Sequence, residues 1–510
     1  MNQPQELGRK NLRIDQWIAL GDSASSIAIK APVRAGIARS RKVVERAMHE
    51  GRVVYGVNTG FGKLSNVSIE ADRLGELQRN LLLSHATGVG EPLPVEVSRL
   101  AFALRIHAVA RGFSGVRPEL VDAMIALFNA GCTPRIPSQG SVGASGDLAP
   151  LAHMALPLIG AGACHDRDGA VIAGAEALRR AGLAPLQLAA KEGLALINGT
   201  QIMTALGLFD VARAITLAKT ADICCAATIE ALRGSIRPFH EGVHALRAHR
   251  GQAETAHNVR SLLRGSRILP SHTHCSKVQD AYSMRCAPQV HGASKDGIRF
   301  AAEVLCTEAG SVTDNPLVFP DGDVVSAGNF HGQPVSQALD YLKIAVATLA
   351  NISERRTENL VNPDISGLPP FLAQKPGLES GMMISQVVAA SLASENKTLA
   401  HPASVDTIPT SANREDHVSM GVTAARHAAM VITNTTRVLA IEWLAAVAAL
   451  DAGEPLRPGR GVEVACRVLR ERVPPLTGDR FLAPDLDAAA ELVGSGALVR
   501  AVEERCGTLR

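Results

Sequence analysis

Aromatic side chains are scarce in this 510-residue chain: eleven Phe, three Tyr and two Trp, 3% of the total. Few rings are left to stack nucleic-acid bases, and a formal net charge of +3 is no phosphate-tracking footprint. No disulfide framework is visible. The nine cysteines are odd in number, irregularly spaced and without a CxxC pair, which fits reduced thiols in a cytosolic protein. No run approaches eighteen uncharged apolar residues. The strongest candidate, 439–450, carries Glu442 and reads as a buried core helix instead of a membrane span. The first residues, MNQPQELGRKNLRIDQW, hold no apolar stretch of signal-peptide length. With 46% hydrophobic residues the chain is too apolar for a disordered one.

What is present is aliphatic and helical in period. Apolar residues recur at three- and four-residue spacing over 95–128 (interrupted at 112–118), 203–232, 340–361, 381–401 and 417–450. Alanine, the best helix former, is abundant in most of these runs. Long helices that are apolar on more than one face need burial on more than one side, which predicts a large helical bundle completed by subunit association. The first hundred or so residues are more mixed, and 52–61 (RVVYGVNTGF) predicts a short strand running into a Gly-bounded loop. The expected division is a mixed α/β part over 1–112 and a large helical part over 113–510. Loops rich in Gly, Ser, Pro or His fall at 133–146, 270–292 and 312–332.

The densest chemical signal is Gly140-Ser141-Val142-Gly143-Ala144-Ser145-Gly146-Asp147. A phosphate-cradling loop would end in GK[ST], and no Lys follows. A nucleophile elbow needs GxSxG, but Asp147 stands two residues after Ser145. A plain flexible turn is the bland alternative. The remaining one is a backbone that cyclises: the Gly146 nitrogen can attack the Ala144 carbonyl if the chain bends very tightly, which Gly permits and Ala does not obstruct. Loss of water, including the Ser145 hydroxyl, then leaves an exocyclic methylidene, an electrophile made from the protein itself.

GSVGASGDLAPLAHM resembles the signature of the histidine/phenylalanine ammonia-lyase family, whose members form 4-methylidene-imidazol-5-one from Ala-Ser-Gly. The likeness runs along nearly the whole chain. Tyr55, in VVYGVNTGFG, matches the family's tyrosine loop. Asn198, in LINGTQ, matches the Asn that contacts the prosthetic group and the substrate amine. Gln279, Tyr282 and Arg285 stand at the family spacing in KVQDAYSMRCAPQVHG. Phe330, in SAGNFHG, matches a position beside the prosthetic group, and Glu415 lies in SANREDHVSMG. The resemblance implies a mainly α fold of fumarase/aspartase-like architecture. It also implies a D2 homotetramer with residues of three chains at each site, and a group formed from Ala144, Ser145 and Gly146 with no external cofactor.

The residue types suit that chemistry. Breaking a Cβ–H bond that no carbonyl activates, and expelling an amine, needs an electrophile on the nitrogen and a base at the carbon. Tyr55 is the expected base and Tyr282 the runner-up or proton relay. Ionising a Tyr at pH 7 costs roughly 4 kcal/mol, a cost that Arg285 or backbone dipoles would reduce. The guanidinium of Arg285 would clamp the substrate carboxylate, and Asn198 and Gln279 would hold the amine or polarise the prosthetic carbonyl.

The pair Ser84-His85 resembles the histidine-type members, where phenylalanine-type ones carry Phe-Leu and tyrosine-type ones tend to carry His-Leu. A neutral imidazole has one donor and one acceptor, which His85 and Glu415 would satisfy and a phenyl ring would leave unpaired. The expected reaction is loss of ammonia from L-histidine to give trans-urocanate, the first step of histidine degradation. A phenylalanine or tyrosine lyase, an aminomutase, and a catalytically silent helical oligomer are the rivals. Arg414 departs from the family's usual Gln and stands where it would compete for Glu415. Ser271-His272-Thr273-His274-Cys275 has ligand-type residues but no second cluster, so no metal is expected. Neither nucleic acid nor membrane is an expected partner.

Overall fold

The computed structural model describes residues 3–9, 11–60, 62–64, 66–272, 278–453 and 455–510. It is mainly helical, 59% helix against 6% strand. The longest described helices are Gln201–Ala231, Ala287–Ala309, Gln333–Val361 and Gly421–Ala452. The 95–128 run forms two helices, Val95–Ala110 and Pro118–Asn129, parted at the Gly-Ser-Pro interruption. The 381–401 run forms Met383–Leu399.

Ala287–Ala309 was not among the expected helical runs, and its sequence explains why. Gly292, Gly297, Lys295 and His291 blur the apolar period, yet Lys295 and His291 are buried against Asp222. The polar groups are inside because a carboxylate satisfies them there.

The expected strand over 52–61 is not formed by the described residues. The chain turns instead around Gly56 (φ 69°), where a Cβ would meet Leu194 Cδ2 at 2.3 Å. The Asn58 side chain closes the loop, accepting from Val54 N (2.8 Å) and donating to Arg52 O (2.9 Å). Backbone groups that a strand would have paired across a ladder are spent on one side chain.

Two compact units are distinguished, neither bounded at residue 112. The first comprises Met1–Phe209, Ala302–Asp340 and Pro402–Arg426; the second comprises Asp210–Ala301, Tyr341–His401 and His427–Arg510. The first holds all the strands among the described residues, in small sheets: Gln5–Glu6 with Ile27–Ala28 (parallel), Val89–Pro92 with Pro137–Gln139, a three-stranded sheet ordered Thr133–Pro134, Ala163–His165, Val171–Ala173, and Leu317–Val318 with Val324–Val325. At its core is Val95–Ala110, buried on nearly every face, with Arg99 and Arg105 inside.

The second unit is built on a buried ionic network. Glu442 takes Arg356 through two bonds (Nε–Oε1 2.5 Å, Nη2–Oε2 2.8 Å) and accepts from Thr228 Oγ1 (2.8 Å). Arg356 Nη1 then donates to Ser283 O at 3.2 Å. Gln201–Ala231 and Gly421–Ala452 are long and apolar enough to cross a membrane, but most of their residues are buried in the fold. Asp222, Glu230 and Glu442 within them are paired to protein partners, the pattern of core helices.

Candidate active site

One cavity of about 710 Å³ gathers most of the expected residues. Among the described residues its wall includes Tyr55, Ser84, His85, Ser145, Asn198, Phe330 and Glu415, with Asn80, Leu81, Leu194, Asn315 and Ser411. All belong to the first unit.

The Ala-Ser-Gly loop is bent and held at several points. Gly143 and Gly146 both have φ 73°. A Cβ on Gly146 would lie 2.1 Å from Gly199 O, and one on Gly143 would lie 2.1 Å from Ser419 Oγ, so only Gly fits either position. Ser419 Oγ donates to Gly143 O (3.1 Å), Met420 N to Val142 O (2.8 Å) and Asp147 N to Gly199 O (2.8 Å). The buried Asp147 carboxylate accepts from Ile202 N (2.9 Å) and Met203 N (3.1 Å) in the first turn of Gln201–Ala231. Its other oxygen accepts from Ser141 Oγ (3.2 Å). Burial pushes this carboxyl up to about 7, against the pull of those donors.

Asn198 ends the helix Glu192–Ile197 and is almost wholly buried. Its Nδ2 donates to Asn315 O (2.9 Å), and its backbone carbonyl accepts from Arg105 Nη1 (2.8 Å). Its Oδ1 is buried with no partner among the described residues. Such an acceptor is costly to leave unmet, which marks it for a bound donor.

Ser84 and His85 close the helix Leu74–His85, and Ser84 Oγ lies 3.0 Å from His85 Nδ1. Burial lowers the His85 pKa, and the Glu415 charge works against that. Glu415 Oε1 accepts from Ser145 Oγ (3.2 Å), and Oε2 accepts from Thr410 Oγ1 (2.5 Å). Arg414 is exposed and makes no ion pair with Glu415 among the described residues, so the departure at this position leaves the carboxylate facing the cavity. Tyr55 is half-buried, with Gly62 N donating to its hydroxyl at 3.5 Å. Burial pushes the phenol up; the Gly62 N–H opposes this, and the Glu415 charge adds to it.

Gln279, Tyr282 and Arg285 are not among the described lining residues and belong to the second unit. Gln279 is exposed, Tyr282 is 70% exposed, and the Arg285 guanidinium sits over the Tyr282 ring, 4.5 Å from its centroid. The turn Tyr282–Arg285 is anchored from beneath: Arg356 donates to Ser283 O, and Asn359 Nδ2 donates to Ser283 Oγ (3.0 Å). Sequence reasoning did not single out Thr410, Asn315 or Ser411. The turn signal at Asp314-Asn315-Pro316 was visible, but nothing in the local pattern pointed either residue at a site. His274 and Cys275 of the candidate metal cluster lie outside the described residues.

A family model described as aromatic amino acid lyase matches residues 12–471. The chain belongs to the aromatic amino acid lyase family. It is a carbon–nitrogen lyase. Among similar proteins, a histidine ammonia-lyase of Symbiobacterium thermophilum is 55% identical over 505 residues, 99% of each chain. The crystal structure of a histidine ammonia-lyase from Trypanosoma cruzi superposes with TM-score 0.90 at 43% identity, over 99% of this chain and 95% of that one. A tyrosine aminomutase from Streptomyces globisporus superposes with TM-score 0.93 at 36% identity over the whole of both.

Aromatic amino acid lyases depend in general on 4-methylidene-imidazol-5-one. The residues here fit that group: a small buried Ala144, two glycines with no room for a side chain, and an orphan amide oxygen on Asn198.

Proposed function

We propose that this lyase removes ammonia from L-histidine to give trans-urocanate, using a 4-methylidene-imidazol-5-one formed from Ala144, Ser145 and Gly146. The observation that carries the substrate is the wall shared by Ser145, His85 and Glu415. A neutral imidazole offers one donor and one acceptor, and this wall offers a carboxylate and a largely neutral imidazole to meet them. A phenyl ring in the same place would strand both. The 55% identity to a histidine ammonia-lyase supports the same reading.

The prosthetic group, once formed, supplies an electrophile that makes the substrate nitrogen a better leaving group. The other roles fall to ordinary side chains. Asn198 Oδ1 holds the substrate amine, Phe330 walls the pocket, and Ser84 orients the ring of His85. Glu415 binds the imidazole together with His85. Tyr55 Oη takes the β-proton. Its own surroundings raise its pKa, so the base needs a cation that this cavity lacks among its described residues.

Arg285 is that cation in our reading, delivered with Tyr282 and Gln279 by another copy of the chain in a homotetramer. The exposure of Gln279 and Tyr282 supports this. There Arg285 clamps the carboxylate, Gln279 polarises the prosthetic carbonyl, and Tyr282 relays protons. Eight described cysteines are free, in keeping with the cytoplasm as the place of work.

The test is incubation with L-histidine, L-phenylalanine and L-tyrosine, followed by ultraviolet absorbance of the conjugated acrylate and analysis for β-amino acid. Urocanate is expected from histidine alone. Ser145→Ala should abolish turnover, and the wild-type mass should be short by two waters relative to its sequence. An active wild type of unreduced mass would refute the prosthetic group, and a β-amino acid product would make the enzyme an aminomutase.

A further inference from the structure

We propose that Thr410 is a positioning residue for Glu415, deciding which carboxylate oxygen faces the substrate. This rests on the reading that Glu415 meets the substrate ring. Thr410 is not part of the cavity wall. Its hydroxyl donates to Glu415 Oε2 at 2.5 Å, while Oε1 is turned to Ser145, whose Oγ lies 3.2 Å away in the uncyclised loop. One oxygen is therefore tied back into the loop and the other presented to the reacting centre. A hydrogen bond to an ionised acceptor is among the stronger kinds, and it fixes a side chain that otherwise rotates freely.

The backbone reinforces the pairing. Thr410 N donates to Glu415 O (3.0 Å), and Glu415 N donates back to Thr410 O (3.3 Å). Between them Ser411, Ala412 and Asn413 stand at φ 49°, 52° and 67°, three successive non-glycine residues in the left-handed region. Such residues persist only where their surroundings over-determine them, and they gather at functional sites. Here the reciprocal backbone pair and the side-chain bond close the loop at its neck. The closed loop also bears on the Tyr55 segment: a Cβ on Gly62, whose N–H donates to Tyr55 Oη, would lie 2.4 Å from Ser411 Oγ. The loop is thus a frame that carries Glu415 in one orientation against the base.

The experiment compares Thr410→Val, which keeps the shape and removes the donor, with Thr410→Ser, which keeps the donor. Both are also made in a Glu415→Ala background. Steady-state kcat and KM are measured on L-histidine. Thr410→Val should lower kcat/KM by about tenfold to a hundredfold, the range for a bond to a charged group. Thr410→Ser should stay within about threefold of wild type. In Glu415→Ala, Thr410→Val should cost less than about twofold, because a residue acting through Glu415 has nothing left to act on.

Thr410→Ala serves as the second donor-free variant should Val disturb the loop. Near-normal activity of both donor-free variants, an undiminished loss in the Glu415→Ala background, or failure of Ser to restore activity would each overturn the proposal. Were the wild type to use phenylalanine or tyrosine instead of histidine, the substrate reading would fail. The same cycle on that amino acid would still read the coupling of Thr410 to Glu415.

Discussion

At the scale of single residues, the site turns on a few polar atoms that have few partners. His85 has its Nδ1 beside Ser84 Oγ, which leaves the far side of the ring for a ligand. Replacing His85 by Leu keeps the bulk and removes the polar partner. Histidine turnover should then fall by about tenfold to a hundredfold in kcat/KM, with a smaller loss for any residual use of phenylalanine. Steady-state kinetics on both amino acids check this, and an unchanged ratio between them would remove the case for imidazole selection by His85.

Ser84, His85, Ser145, Asn198 and Glu415 were legible in the sequence because each sits in a short motif with a chemical reason. Thr410 was not, because its role arises from a side-chain orientation that spacing along the chain does not encode. Arg414 carried a question that only the fold answers: whether its guanidinium turns to Glu415 or to solvent.

At the scale of elements, apolar period located five helical runs: 203–232, 381–401 and 417–450 end within a few residues of the helices, 95–128 divides into two, and the helix of 340–361 begins seven residues earlier, at Gln333. It failed where buried polar groups are paired to each other, as in Ala287–Ala309, and where a side chain closes a loop that reads as a strand, as at Asn58. The helix Val95–Ala110 holds a further buried polar group with a measurable consequence. His107 accepts from Gly8 N (3.2 Å) and packs edge-on to Trp17, and burial, with Arg111 adding its charge, pushes its pKa down to about 4.

The folded form is therefore neutral where the unfolded chain, titrating near 6.5, is protonated. Stability from this group is complete above about pH 6.5 and is lost as the pH falls towards 4, by about 3 kcal/mol. Asp147, pushed up to about 7, contributes in the opposite direction, being destabilising as the pH rises through that range. The His107 share is accordingly read as a difference: His107→Gln should flatten the acid-side fall in thermal midpoint relative to wild type. Parallel curves for the two proteins would show that His107 does not drive it.

At the scale of the whole molecule, the exposed apolar surface is patterned. On Met383–Leu399, Ile384, Val387 and Val388 are exposed at helical spacing, while Ser385, Ala389 and Asn396 on the other side are buried. Tyr341 and Ile344 on Gln333–Val361 are also exposed. Contiguous apolar faces of this kind are ordinarily covered by another chain. The homotetramer proposed above predicts that the 53.5 kDa chain sediments at four times its mass and that Val388→Asp shifts it towards smaller species. The family resemblance drew attention to Tyr55 and Tyr282. Motif position alone does not tell that one tyrosine lines a cavity while the other stands exposed.

The proposed lending of the Tyr282–Arg285 turn by one copy of the chain to the Ser145 cavity of another has a genetic consequence. A subunit with Ser145→Ala would keep a sound turn to lend, and one with Arg285→Ala would keep a sound cavity to receive it. Each variant alone should be inactive, yet cells expressing both should regain turnover, because some cavities in mixed tetramers would draw every group from an intact source. Two defective alleles would then complement each other within one enzyme, and loss-of-function alleles of this gene would fall into two complementing classes.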